Sequence, residues 1–400
     1  MIKKSIAIIG GGSASLMLAS GIDTQKFDVT IYEKNKALGR KFLVAGDGGL
    51  NLTHSEELPD FITRYVPHSF MAPYINHFSN QNLRDYLNAL GIHTFVGTSK
   101  RVFPKKGIKP IQVLKSFEQL CISHNVKFQF DYTWKGWKDK GLYFENNHQQ
   151  SFVVDADIVV FALGGASWKV TGSDGAWLNY FTEKQITTVP FMPSNCAYQI
   201  NWEASLMHQH AGSALKNCSF KCAEQSKKGE VVVTKFGIEG NAVYALSPSI
   251  RKELLQHGKA LLYIDFKPEF SKDDILLRYQ RFKKNSMKSF LKDHLHLTDL
   301  QIDLLKNTTN KETYNSINLI TDKIKSFEVV IVGFAPIDQA ISTVGGIHIE
   351  ELNSHLELKK LPHHYCIGEM IDWDAPTGGY LLQACFSMGK YLADYLNQNN

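Results

Sequence analysis

An apolar run at residues 5–9 ends directly in Gly10-Gly11-Gly12, and residues 16–20 that follow carry apolar side chains at helical spacing. A buried strand that breaks into glycines and re-forms as a helix leaves few choices of fold. Gly10 permits a tight turn, and Gly12 lets an anionic group approach the free backbone N–H groups at the helix start. The pattern matches Gly-x-Gly-x-x-Gly except that Ser15 takes the third glycine position, where a small side chain still lets helix and strand pack closely. Residues 28–33 read as a second strand ending in Glu33, about twenty residues on, where a carboxylate accepts hydrogen bonds from an adenosine ribose. Strand, turn, helix, strand and acid in this order predict a Rossmann-type βαβ nucleotide-binding unit. An acid at that place disfavours a 2′-phosphate, so FAD or NAD fits better than NADP.

The 400-residue chain, 44% hydrophobic, is long enough for two or three domains. Helical spacing is expected at 83–90 and 111–124. Residues 127–131 and 141–145 alternate like antiparallel strands, and 158–163 form an apolar strand. From about 191 to 262 the chain is β-rich, most clearly at 230–234, and 271–325 carries amphipathic helical patterns. A strand at 365–367 and a helix at 381–396 return to the first domain. The expected partition is a nucleotide-binding domain at 1–190 and 346–400, a β-rich insertion at 191–270 and 326–345, and a helical domain at 271–325.

The net charge of +5, from 44 basic and 39 acidic residues, is spread without a basic block, so no nucleic-acid partner is expected. The first strand starts within four residues of Met1 and no apolar run approaches the roughly 20 residues of a membrane span, which predicts a cytoplasmic protein. Six cysteines form no Cys-x-x-Cys pair and read as reduced structural thiols. Cys218 and Cys222, with His208 and His210 nearby, fit no common zinc pattern; a His-x-His strand would place both rings on one face, and no metal is expected.

Beyond Glu33 come Gly39-Arg40-Lys41 and the loop Gly46-Asp47-Gly48-Gly49-Leu50-Asn51-Leu52-Thr53-His54. With these the chain resembles the BaiN-like family of NAD(P)/FAD-dependent oxidoreductases, which includes an aminoacetone-oxidase-like group and carries a Gly-Arg-Lys…Gly-Gly-x-x-Asn-Leu-Thr signature. Gly49-Leu50 stands where many members have Arg-Cys, so no role of that Arg or Cys is carried over. Ala162-Leu163-Gly164-Gly165-Ala166-Ser167 resembles the family's strand-end turn beside FAD. Gly368-Glu369-Met370-Ile371-Asp372 with Pro376-Thr377-Gly378-Gly379-Tyr380 resembles its C-terminal flavin motif. The variants Gly49-Leu50, Trp373-Asp374-Ala375 and Leu381-Leu382-Gln383-Ala384-Cys385 mark a distinct subgroup. The likeness spans nearly the whole chain and is weaker in the middle, at 234–240.

The resemblance implies an α/β fold, with an FAD-binding domain of the glutathione-reductase-like kind, an inserted β-barrel and a small helical domain. It implies FAD as cofactor, held by Gly10, Gly12, Ser13, Ala14, Ser15, Glu33, Lys34, Gly39, Arg40, Lys41, Gly49, Asn51, Leu52, Trp134, Ala162, Leu163, Gly164, Gly368, Glu369, Thr377, Gly378, Gly379 and Tyr380. Arg40 and Lys41 would offset pyrophosphate charge or line the approach to the ring, and Glu369 would bond the ribityl or phosphate region. Thr377-Gly378-Gly379 would set the last helix's N-terminus against the flavin. Asn51, His54, Asp372 and Tyr380 are candidates for a proton donor. No second Gly-x-Gly-x-x-Gly follows, so a nicotinamide must bind elsewhere. The expected activity is hydride transfer between FAD and a small organic substrate, with NAD(P)H as transient reductant. The alternative is an FAD-binding protein with a regulatory or scaffolding role and no turnover. A plain NAD-dependent dehydrogenase would leave the C-terminal motifs without a purpose.

Overall fold

The computed structural model describes residues 3–44, 49–235, 237–282 and 286–399. Gly46-Asp47-Gly48 of the glycine-dense loop therefore lies outside the described residues. The chain divides into two compact units, Met1–Met192 with Ile341–Asn400, and Pro193–Ala340.

The first unit is built on a parallel sheet. Strand β1 (Lys4–Ile9) is its centre, and Ile6, Ala7, Ile8 and Ile9 are all buried, as expected of a strand covered on both faces. It pairs with β2 (Phe27–Glu33) on one side; β3 (Lys127–Phe130) lies beyond β2. On its other side are β4 (Ile158–Phe161) and then β5 (His364–Cys366). The order is β5-β4-β1-β2-β3. β3 pairs parallel with β2, against the expectation of an antiparallel strand: alternation reports which residues face a core but says nothing of strand direction. The chain steps outward from β1 to β3 and then crosses back to β4, so the crevice beyond the C-terminal ends of β1 and β4 is the topological switch point.

Helix α1 (Ser13–Gly21) buries every residue from Ala14 to Ser20. One neighbour is α2 (Pro110–Ser123), where the Cys121 thiol donates to the Leu16 carbonyl at 3.8 Å. The other is the last helix, α3 (Tyr380–Asn399). A Cβ at Gly389 would sit 2.5 Å from the Ala14 carbonyl oxygen, so glycine is what lets the two backbones approach this closely. Strands Tyr132–Lys138, Gly141–Asn146 and Ser151–Val154 form an antiparallel sheet between β3 and β4. A second small sheet joins Thr53–His54, Arg101–Pro104 and Thr94–Val96. The sequence reading missed this second sheet, whose strands are too short to show periodicity.

The second unit holds a closed antiparallel barrel, six-stranded among the described residues. Its strands run in the order Tyr198–Ile200, Gly237–Glu239, Gln225–Val233, Ala214–Cys222, Ala260–Asp265 and Phe327–Phe334. Phe220, Leu262 and Ile264 are in its core. Its helices start where capping boxes dictate: Ser271 with Asp274 before Lys272–Gln280, and Thr298 with Gln301 before Asp299–Thr308. His208 and His210 lie on a helix, Ala204–His210, and not on a strand, and His210 Nε2 is 2.9 Å from Asp303 Oδ2. Cys218 and Cys222 are fully buried. Among the described residues no group of three His, Cys, Asp or Glu is placed to hold a metal, and no helix is long and apolar enough to cross a membrane.

Candidate cofactor and active site

The turn after β1 is held from three sides. A Cβ on Gly10, whose φ is +102°, would lie 2.4 Å from the Ala162 carbonyl oxygen, so the strand-end turns of β1 and β4 touch through a glycine. The Ser15 hydroxyl, fully buried, donates back to the Gly10 carbonyl. Serine in the third glycine position thus ties the turn as well as fitting between helix and strand. From β2, Glu33 Oε2 accepts the Gly11 N–H at 2.7 Å, and Oε1 accepts the backbone and side-chain N–H groups of Asn35 at 2.8 and 2.6 Å. At Gly12, which begins α1 without a side-chain cap, a Cβ would meet nothing within 4 Å. The space is open where Rossmann folds place a pyrophosphate.

Around this turn the charged residues are paired. Lys34 reaches Asp174 at 2.8 Å, and Arg40 donates to Asn35 Oδ1 at 2.7 Å. Gly39 (φ +62°) donates its N–H to the Gly11 carbonyl and packs where a Cβ would strike Leu114. Lys41 Nζ lies 2.9 and 3.2 Å from the two Glu369 oxygens and 3.0 Å from Ser167 Oγ. Glu369 also accepts the Thr343 N–H, and Thr343 Oγ1 accepts the Ala166 N–H. One carboxylate therefore joins the turn after β4, the helix Arg40–Val44 and the segment after β5. Gly368 sets its Cα against Ala14 in the first turn of α1. Burial pushes the nearby Cys385 thiol up to about 12, against the opposing effect of a hydrogen bond with Ser13, so it is protonated at neutral pH.

The start of α3 is packed by protein. A Cβ on Gly379 would lie 2.5 Å from Thr53 Cα, and one on Gly378 would lie 3.2 Å from Arg101 Nε. The Tyr380 hydroxyl donates to Glu56 Oε1 at 2.5 Å, and Arg64 grips the same carboxylate through Nε at 3.0 Å and Nη2 at 2.8 Å. Burial alone would raise the Glu56 carboxyl, but the hydrogen bonds from Arg64 and Tyr380 outweigh it and hold it below the usual range. Tyr380 moves the other way: burial first, then its bond to Glu56, lift it far above an ordinary phenol. His54 stacks on Tyr380 with centroids 5.2 Å apart. Its Nδ1 accepts the Glu56 N–H and its Nε2 faces the Ser99 carbonyl, both at 3.2 Å, which selects the tautomer protonated on Nε2; burial is the main cause lowering its pKa.

Of the four proton-donor candidates, three are engaged in holding structure. Tyr380 and His54 have the partners just described, and Asp372 Oδ1 accepts the Gly345 N–H at 3.0 Å. Asn51 differs: its Nδ2 donates to the Gly49 carbonyl, while its Oδ1 is buried without a hydrogen-bond partner. Leu52 is fully buried, and Gly49 is exposed with φ +101°. Trp134 is core, packed against Phe161 and Phe181 with its Nε1 buried and unpartnered, so its side chain serves the sheet. The sequence reading missed Asn35, Glu56, Arg64 and the strand Ser342–Ile347. The paired glycines Gly345-Gly346, both at φ +110°, were the available signal there: a Cβ on Gly346 would lie 2.1 Å from the Met370 carbonyl oxygen.

These features fit an FAD. The open space at Gly12, the uncapped start of α1 and the acid ending β2 suit its adenosine diphosphate half, and the orphaned Asn51 Oδ1 suits a ligand N–H or O–H. Comparison with known proteins bears on the same point. A family model described as the HI0933-like protein Rossmann domain matches residues 4–395. The 3-dehydro-bile acid delta(4,6)-reductase of Clostridium scindens is 23% identical over 97% of both chains. The ribosomal RNA dihydrouridine synthases of Haemophilus influenzae and Escherichia coli are 21% and 24% identical, over 95% of this chain and 95% and 94% of theirs. The chain belongs to the HI0933-like Rossmann-domain family, the BaiN-like flavoproteins, and is an FAD-dependent oxidoreductase.

Proposed function

We propose that this protein reduces a carbon–carbon double bond conjugated to a carbonyl in a small organic substrate, with NADH or NADPH as the electron donor to FAD. The observation that carries this reading is that relatives aligned over at least 94% of their own length are named for such reactions. A delta(4,6)-reductase removes double bonds, and a dihydrouridine is a uridine that has gained two hydrogens. When bound, FAD supplies a ring that accepts hydride from one partner and gives it to another. The chain's own residues hold and orient it: Gly10, Gly12 and the first turn of α1 at the pyrophosphate, Glu33 at the ribose, and the Asn51 oxygen at a donor group. Lys41 and Glu369 brace the turn after β4. A proton for the second carbon comes from solvent in this reading, because Tyr380, His54 and Asp372 are each committed to a structural partner.

The test is an anaerobic visible spectrum of the purified, FAD-reconstituted protein, taken before and after NADH or NADPH and again after an α,β-unsaturated ketone. Bleaching by the nicotinamide and recovery on adding the ketone is the expected result. Flavin bands that persist with every donor would sink the reading and favour an FAD-binding protein without turnover. A second reading, uridine in ribosomal RNA as substrate, is favoured by the two synthase relatives. It predicts recovery of the bands with RNA and not with the ketone, and a matching gain of dihydrouridine in that RNA.

A further inference from the structure

The segment after the β4 turn folds back as a strap toward the end of β2. Asp174 pairs with Lys34, and the Thr171 carbonyl accepts the Asn35 side-chain N–H at 3.3 Å. Gly172 (φ +101°) lies where a Cβ would be 2.6 Å from Asn35 Nδ2 and 2.9 Å from Lys34 Cε, so a larger residue there would strain the backbone and push both side chains aside. Between these anchors is Ser173, only 7% exposed, whose Oγ is buried with no hydrogen-bond partner. That oxygen is 3.6 Å from the Cβ position that Gly164 lacks, so it faces the strand-end turn of β4 at the switch point. A buried hydroxyl left unpaired is costly, and native structures rarely keep one without a purpose.

We propose that Ser173 is a cofactor-binding residue whose hydroxyl donates to the adenosine diphosphate half of FAD, with residues 168–175 as the strap that presents it. The Lys34–Asp174 pair anchors the strap at the end of β2, beside the acid that marks the ribose position, which assigns the contact to the adenosine side and not to the flavin ring. The inference rests on the FAD reading and extends it to a residue outside the sequence motifs.

The test compares wild type and Ser173→Ala as full-length chains stripped of flavin and titrated with FAD, with FMN, and with ADP as competitor, alongside the melting temperature of each flavin-free chain. The expected result is a rise in Kd of about tenfold for FAD and for ADP, with FMN affinity unchanged. The flavin-free melting temperature should stay level or rise, because the substitution removes an unpaired group; a hydroxyl with a merely structural partner would instead lower it. Unchanged FAD affinity, or an equal loss for FMN, would overturn the assignment while leaving FAD binding intact. A wild-type chain that binds FMN and ADP no less tightly than FAD would overturn the FAD reading, and this inference with it.

Discussion

Two glycine turns begin helices that pack on each other, and they do opposite things. At Gly12, ahead of α1, a side chain would enter empty space; at Gly379, ahead of α3, it would strike the backbone of Thr53. The first glycine borders open space that suits a ligand, and the second is required by the close approach of the protein's own backbone. The sequence motifs predict a cofactor contact at both, and a motif records that a side chain is missing and not what fills the gap. The contrast extends to the surroundings. The first turn has an uncapped helix start and an acid that holds it through backbone N–H groups; the second has a tyrosine, two arginines and a glutamate closing around it.

The widest test of this contrast is Gly379→Ala. With φ at +102° and backbone 2.5 Å away, it should cost on the order of 3 kcal/mol or more and lower the melting temperature with or without FAD. Melting within 2 °C (roughly 1 kcal/mol) of wild type would show that the second turn has room. Gly12→Asp should act in the reverse sense. Aspartate is a good helix N-cap, so the flavin-free chain should melt no lower, while its carboxylate fills and repels the pyrophosphate site and weakens FAD by about 100-fold. Tight FAD binding to this variant would remove the first turn from the cofactor site.

Smaller effects sharpen the boundary between the two regions. Lys41→Met leaves Glu369 with its Thr343 N–H but without a counter-ion; the pair is partly exposed, so a loss of about 1–2 kcal/mol in thermal or urea unfolding is expected. No loss would mean the carboxylate is satisfied elsewhere. Tyr380→Phe should cost about 1 kcal/mol near neutral pH and leave turnover within twofold. Its pH dependence has a definite sign. Arg64 and Tyr380 hold the folded-state Glu56 carboxyl below its ordinary 4.5, so their stabilisation is complete above that value and is lost as pH falls through the folded-state pKa. The melting difference between wild type and Tyr380→Phe should therefore shrink on acidification below 4.5. A tenfold drop in turnover at full flavin content would restore Tyr380 as a proton donor.

The elements that could be read from sequence were those with a local signature. The turn of Gly10 and Gly12, Glu33 and the long last helix declare themselves through spacing or through a motif within about thirty residues. What could not be read depends on partners far apart in the chain or on direction. Tyr380 meets Glu56 across 324 residues, and Lys41 meets Glu369 across 328. No local pattern foretells either meeting, and three residues expected to serve the cofactor, Lys41, Glu369 and Tyr380, have protein partners as well. Strand β3 alternates whichever way it runs, and the two histidines of Ala204–His210 are two apart in either a strand or a helix. Ser173 carries no motif at all; its interest lies in an unpaired oxygen that only the folded chain reveals.

The crossing of α1 and α3 at Gly389 also sets an order of events during synthesis. Gly21 emerges from the ribosome with its carbonyl destined for the Asn397 side chain, 376 residues later. At about 5–20 residues per second, α1 waits roughly 20–75 s for the helix that covers it. The barrel unit, Pro193–Ala340, is contiguous and has all its strands in hand before α3 is made. Helix α1 is thus covered on its Gly389 side only after α3 has been made, and until then part of its buried Ala14–Ser20 surface is open.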